Sequence, residues 1–190
     1  MQISRNIRLA CLFFGTLALL PFAAFAQDST TSGSADNEST DSNSRKVSDQ
    51  DFLKEAADGG MAEVALGQLA MEKASSPEVK EFAQRMVTDH GKANDQLKEI
   101  ATRKGVTIPS EPNAKDNATK DRLAKLSGEE FDKAYMSHML KDHKKDVAAF
   151  KAESTNGQDP EIKQFATETL PTLEEHLKQA ETVTPKTAQR

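Results

Sequence analysis

The chain has 190 residues with 25 basic and 30 acidic side chains, so its formal net charge is −5. A net acidic chain is a poor ligand for nucleic acid, and we expect no nucleic-acid partner. The one cysteine, Cys11, lies in a segment that we expect to be removed, which excludes disulfides and thiol catalysis from the mature protein.

The first 26 residues have the layout of a cleaved secretory signal. Arg5 and Arg8 precede an apolar run over residues 9–25, and Ala24-Phe25-Ala26 supplies small residues around a cut after Ala26. No later apolar run approaches the ~20 residues that a bilayer crossing needs. We therefore expect a periplasmic or secreted protein without a transmembrane anchor.

Composition divides the remaining chain into three parts. Residues 27–47 are Ser, Thr, Asp, Asn and Gly with almost nothing to bury, which predicts a disordered polar linker. Residues 48–183 show helix signals and no strand signals, which predicts one all-α domain large enough to bury a core. We expect residues 184–190 to be a disordered tail.

The first two predicted helices form a tight hairpin. Ser48 caps the first, which ends near Ala74, and Ser76-Pro77-Glu78 opens the second, which Gly105 ends. Within the first helix, Gly59-Gly60 either allows a close helix approach beside Glu63 or marks a break.

The third and fourth predicted helices follow a second set of signals. The pair Ser127 and Glu130 predicts a capping box for the third helix, and Gly157 follows its end. Asp159-Pro160-Glu161 opens the fourth, which we expect to end before Pro185.

The connection over residues 106–126 is longer than a bundle hairpin needs. It contains Pro109 and Pro112, with a short helical piece near residues 121–126. A helix of about 26 residues is ~39 Å long, and this segment is long enough to cover that distance. We therefore predict a ferritin-like four-helix bundle with a long crossover between helices two and three, which then run parallel. Simple up-and-down alternation is the alternative.

Each predicted long helix carries one ionisable residue within its apolar stripe: Glu63, His90, His143 and His176. Steps of three and four residues along each stripe aim these side chains inward. In the crossover topology their heights along the bundle fall within ~7 Å. A buried ionisable group must be hydrogen-bonded, neutral or bound to a metal.

Three imidazoles and one carboxylate would suit a single zinc, copper or iron ion, and these four residues are our candidate metal ligands. Asp89, Asp142 or Glu175 could orient the imidazoles from outside. Met86 and Met139, each four residues before a candidate histidine, could add thioether ligands for copper. The alternative is a purely structural polar layer in the core.

Short motifs distributed over all four predicted helices carry a family resemblance. They are Asp51-Phe52, Gly60-Met61-Ala62-Glu63-Val64, Leu66-Gly67-Gln68-Leu69-Ala70, Phe82-Ala83, Met86-Val87-Thr88-Asp89-His90, Asp142-His143 and Leu170-Pro171-Thr172-Leu173-Glu174-Glu175-His176-Leu177. From about Asp49 to Val183 the chain resembles the domain-of-unknown-function 4142 family of secreted bacterial proteins, often labelled outer-membrane proteins. The resemblance implies a ferritin-like fold and an exported location but no settled activity.

A di-iron site, which a ferritin-like fold raises, is disfavoured. Di-iron bundles use Glu-x-x-His on two helices, and the residues three before the candidate histidines are Val87, Leu140 and Leu173. Nor does the sequence pair a nucleophile with a base or contain a phosphate loop, so an enzyme ranks third among the function classes. The first is an exported metal-binding bundle acting in envelope stress protection. The alternative is a non-catalytic envelope scaffold, with a protein partner, whose inward histidines are structural.

Overall fold

The structure, a computed structural model, describes residues 48–188, with side chains described as far as Thr184. The predicted signal peptide and linker lie outside the described residues. Within them the chain forms five helices and no strand: α1 Asp49–Lys73, α2 Pro77–Lys104, α3 Ala114–Ala124, α4 Gly128–Asn156 and α5 Pro160–Ala188. The predicted all-α class is confirmed. Across residues 48–188, no helix combines the length and apolar character that would let it cross a membrane.

Local sequence explains where most helices begin and end. The Ser48 hydroxyl accepts a hydrogen bond from the backbone N–H of Asp51, and Gly105 ends α2 in the left-handed region at φ 66°. The capping box predicted at Ser127 is wrong, because that side chain makes no capping hydrogen bond. Gly128 begins α4 at φ 59°, so the chain enters the helix in a geometry that a capping box does not use.

Contacts at both ends of the bundle establish the helix directions. At the end of α1, Ser75 donates hydrogen bonds to Asp132 near the start of α4. At the beginning of α1, the ring of Phe52 lies 4.9 Å from that of Phe150 near the end of α4. Helix α1 is therefore antiparallel to α4. It is also antiparallel to α2, because the short turn at residues 74–76 joins these two helices. Helices α2 and α4 run parallel, which confirms the predicted crossover.

The crossover itself contains a fifth helix, which corrects the prediction of a four-helix chain. Helix α3 has 11 residues, whereas we predicted a short piece at residues 121–126. It begins earlier because the Asn113 side chain accepts from the Lys115 N–H and caps it. The backbone N–H of Asn113 donates to Asp58 of α1 at 2.7 Å, and Leu123 is fully buried. Both contacts hold α3 against the bundle, where it packs on α1 and α4.

Helix α5 is longer than predicted. It runs through Pro171 and Pro185 and ends at Ala188, beyond the end that we predicted before Pro185. A proline within a helix removes one backbone hydrogen bond and strains the turn before it. At Pro171 the buried residues Ala166 and Leu173 on either side offset that cost.

The core consists of two apolar clusters with a polar layer between them. One cluster contains Leu66, Phe82, Met86, Phe131, Tyr135, Met139 and Val183 among others. The other contains Phe52, Leu53, Leu97, Phe150, Ile162, Phe165 and Leu173 among others. On each long helix the sequence passes from one cluster to the other at its ionisable residue. The fold therefore brings the four candidate residues to one level.

Candidate metal site in the bundle core

Three imidazole rings form a compact triangle at the level of the polar layer. The ring centroids of His90 and His143 are 5.5 Å apart, those of His90 and His176 are 5.3 Å apart, and those of His143 and His176 are 5.4 Å apart. The rings are 6%, 0% and 0% exposed, and Glu63 beside them is 2% exposed. All four predicted residues thus meet in a site that is shielded from water.

Two of the rings are oriented by hydrogen bonds at Nδ1. His90 Nδ1 lies 2.8 Å from Glu63 Oε2, and His143 Nδ1 lies 3.0 Å from the carbonyl oxygen of Met139. His143 Nδ1 also lies 3.4 Å from Glu63 Oε1. The Met139 carbonyl oxygen only accepts, so His143 Nδ1 carries a hydrogen, and His90 Nδ1 carries one when the Glu63 carboxylate is ionised. The Nε2 lone pair of each ring is then available to a ligand.

The third ring is held in the opposite orientation. His176 Nε2 donates to Asp89 Oδ2 at 2.8 Å, so the lone pair of this ring is on Nδ1. Asp89 is one of three carboxylates that the sequence offered as orienting groups. The other two have different partners, since Asp142 accepts from Lys145 and Glu175 accepts from Arg85.

The second nitrogen of each ring is buried without a partner among the described residues. These nitrogens are His90 Nε2, His143 Nε2 and His176 Nδ1. One ligand nitrogen from each ring lies within 4.8 Å of the other two. Trigonal ligation at ~2.0 Å needs nitrogens ~3.5 Å apart, so a modest approach of the rings would complete it. Leaving one buried polar atom unpaired costs about 1–3 kcal/mol of folding free energy. In this site three ring nitrogens are unpaired at the same level.

Burial keeps these rings in the form that binds metals. Desolvation lowers the pKa of His90 from 6.5 to about 4, although nearby carboxylates, Asp146 first, oppose the shift. Desolvation also lowers the pKa values of His143 and His176, against the attraction of Glu63 and Asp89 respectively. All three imidazoles are therefore neutral at pH 7, and neutral imidazole is a common metal ligand.

A second carboxylate, half-buried Asp146, lies beside Glu63 and was not among the residues predicted from the sequence. Desolvation raises the pKa values of Glu63 and Asp146, and the charge of Glu63 adds to the shift at Asp146. Asp146 lies on α4 three residues after His143, and this spacing places it on the same face. The sequence therefore contained a signal for Asp146. The next residue, Val147, is apolar, and the predicted apolar stripe continued through Val147 instead.

A small cavity adjoins the site. Its volume is about 30 Å³, room for one or two water molecules, and its lining includes Gly60, Glu63, His90, Asn94 and Asp146. A Cβ atom at Gly60 would collide with the side-chain oxygen of Asn94. Of the two roles considered for Gly59-Gly60, the structure supports close approach at the second glycine, because α1 is continuous there.

The two predicted thioether residues lie on the apolar side of the site. Met86 and Met139 are fully buried in the cluster that contains Phe82 and Tyr135. The contact described above between Met139 and His143 uses the methionine carbonyl oxygen, not its sulfur. The side chains of both methionines pack as core residues.

No curated protein matches the chain in sequence. Solved structures share its fold. The crystal structure of a DUF305 fragment from Deinococcus radiodurans is 17% identical, with a TM-score of 0.64, over 73% of this chain and 95% of that one. CopM in the Cu(II)-bound form is 19% identical, with a TM-score of 0.62, over 73% of this chain and 97% of that one. CopM in the Cu(I)-bound form is 20% identical, with a TM-score of 0.60, over 71% and 94%. The family model described as Domain of unknown function (DUF4142) matches residues 33–183, so the chain belongs to that family.

Proposed function

We propose that this protein is an exported helical bundle that binds one copper ion on His90, His143 and His176 and acts in protection of the cell envelope against metal stress. One observation carries the proposal. Three buried imidazole nitrogens from three different helices lie together without hydrogen-bond partners among the described residues.

A purely structural polar layer accounts less well for this arrangement. In such a layer both nitrogens of each ring would be paired, since every unpaired buried group costs free energy. Here each ring pairs one nitrogen with an oxygen, and the other nitrogen is buried without a partner among the described residues. Metal-ligating histidines show this pattern, because the outer hydrogen bond fixes the tautomer and orientation of the ring.

Glu63 takes the role of an orienting group in this proposal, although its residue type also allows it to be a ligand. Its Oε2 atom accepts the hydrogen bond from His90, as Asp89 accepts the one from His176. Two carboxylates thus lie just outside the three imidazoles. They offset the charge of a bound cation without occupying its coordination positions.

Copper fits this ligand set better than zinc or iron. At nitrogen sites the divalent ions bind in the order iron, zinc, copper, with copper tightest. The three ligands are neutral and buried, and monovalent copper carries the smallest charge into such a site. The similarity in fold to CopM, which has been solved in copper-bound forms, also supports copper.

Export is supported by the predicted signal sequence at residues 1–26. The mature chain should begin at Gln27, because Ala24 and Ala26 flank the cut. Intact mass of the protein recovered from the periplasm or medium tests this. A mass that includes Cys11 would contradict the exported form.

A melting series of chelated protein tests the site. An ion that binds only the folded state, at one hundred times its dissociation constant, adds about 2.7 kcal/mol. For a domain of this size that raises the Tm by roughly 8 to 15 °C. We expect copper to give the largest shift and each of the variants His90→Leu, His143→Leu and His176→Leu to abolish it.

His138→Leu is the matched control, because His138 lies on α4 but pairs with Asp142, 3.8 Å away, outside the triangle. It should keep the full shift. If copper, zinc and iron all leave the Tm unchanged, or if the shift survives the loss of each site histidine, the proposal is wrong and the histidines are structural.

A further inference from the structure

Two carboxylates face each other beside the histidine triangle. The ligand atoms of Glu63, His143 and Asp146 lie within 4.8 Å of one another. The Glu63 side chain is only 3% exposed. Its Oε1 atom and Asp146 Oδ2 are both buried atoms, and the two carboxyl groups interact directly with each other. These carboxylate oxygens are additional to the atoms that the three-histidine site uses.

The space next to these oxygens can hold a small hydrated ligand. Glu63 and Asp146 both line the cavity of about 30 Å³. That volume admits one or two water molecules, and the cavity has a polar wall where the carboxylates lie. An ion between the carboxylates could complete its coordination with water there.

A third oxygen donor reaches the same cavity from α2. The Asn94 side chain lines it, and the missing side chain of Gly60 leaves room for the Asn94 amide oxygen against α1. Glu63, Asn94 and Asp146 therefore line one cavity from α1, α2 and α4. His143 contributes no lone pair on this side, since its Nδ1–H donates to the Met139 carbonyl.

The buried Glu63 carboxylate and the half-buried Asp146 carboxylate need a proton or a cation between them, because repulsion between their facing oxygens is poorly screened away from water. Carboxylate, amide and water oxygens are the ligands that Mg²⁺, Ca²⁺ and Mn²⁺ prefer. We propose that Glu63 and Asp146, with Asn94, form a second site in the bundle core that binds one hard divalent cation of this class. This site requires no ion on the histidines, and Glu63 joins the two sites through its two oxygens.

Manganese titration of the chelated protein tests the second site, with bound Mn²⁺ counted by electron paramagnetic resonance. We expect one Mn²⁺ per chain in the wild type and none in Asp146→Asn, which removes the charge but keeps the shape. Asp142→Asn is the matched control, because Asp142 lies one turn earlier on α4 and pairs with Lys145. It should retain the ion.

His176→Leu separates this proposal from the proposed function. Among the described residues, the ligand atom of His176 clusters with those of His90 and His143. The cluster of Glu63, His143 and Asp146 does not include it. The variant should therefore lose copper and keep Mn²⁺. If copper fails to bind the wild type while Mn²⁺ binds and Asp146→Asn loses it, the second site stands without the first.

The second site is excluded if the wild type takes up no Mn²⁺, which would leave a shared proton between the carboxylates. It is also excluded if Asp146→Asn binds Mn²⁺ as the wild type does, or if Asp142→Asn loses the ion equally. A circular dichroism melt checks that Asp146→Asn is folded. If it is not, Glu63→Gln takes its place, with the same expected loss and the same refuting result.

Discussion

Acidification of the metal-free protein should destabilise it through His90. Burial lowers the pKa of this residue to about 4, against 6.5 for an exposed imidazole. The unfolded chain therefore binds a proton between these two values that the folded chain does not, so stability falls as the pH falls through this window. From pH 7 to pH 5, the linkage amounts to about 2 kcal/mol.

Urea unfolding at pH 7 and pH 5 measures this effect, with chelator present throughout. The comparison is between the wild type and His90→Leu, because the other ionisable groups of the site titrate in both proteins. The wild type should lose about 2 kcal/mol more than the variant over this interval. An equal loss in the two proteins would show that His90 becomes protonated without cost in the folded state. The reasoning that burial keeps it neutral would then be refuted.

Other contacts give further expectations. Asp132→Ala removes three hydrogen bonds to the α1–α2 turn and should cost about 3 kcal/mol in urea unfolding; a loss below ~1 kcal/mol would contradict the role given to that buried carboxylate. Gly60→Ala places a methyl group against the Asn94 side-chain oxygen and should cost about 1 kcal/mol net of the ~1 kcal/mol that alanine gains in a helix interior, whereas a stabilised variant would show that the amide moves away freely. Asp89→Asn weakens the orientation of His176 and should lower copper affinity by about 10- to 100-fold in a competition titration, while unchanged affinity would exclude an orienting role.

Helix periodicity predicted which residues meet in the core, because all four long helices bury the apolar face that the periodicity marks. Steps of three and four residues placed Glu63, His90, His143 and His176 inward, and the length of the 106–126 connection predicted parallel α2 and α4 helices. Both inferences depend on repeating geometry along the chain, which a sequence displays directly.

Tertiary geometry decided what the sequence left open. Asp89, Asp142 and Glu175 were equal candidates as orienting groups, and only the rotation of α2 against α5 brings Asp89 to His176. Asp146 was not predicted because a carboxylate at the edge of an apolar face is usually solvated, and only the packing of α1 against α4 places Glu63 beside it.

Local backbone geometry accounts for the remaining differences. The left-handed Gly128 alters the start of α4, and the Asn113 cap lengthens α3 into a full helix. Both effects depend on backbone angles and contacts that residue type alone leaves undetermined.

X-ray absorption spectroscopy of the copper-loaded protein identifies the ligands of the bound copper. We expect three nitrogen ligands at ~2.0 Å and the multiple-scattering pattern of imidazole. Copper bound mainly by oxygen atoms, without imidazole scattering, would contradict the three-histidine site.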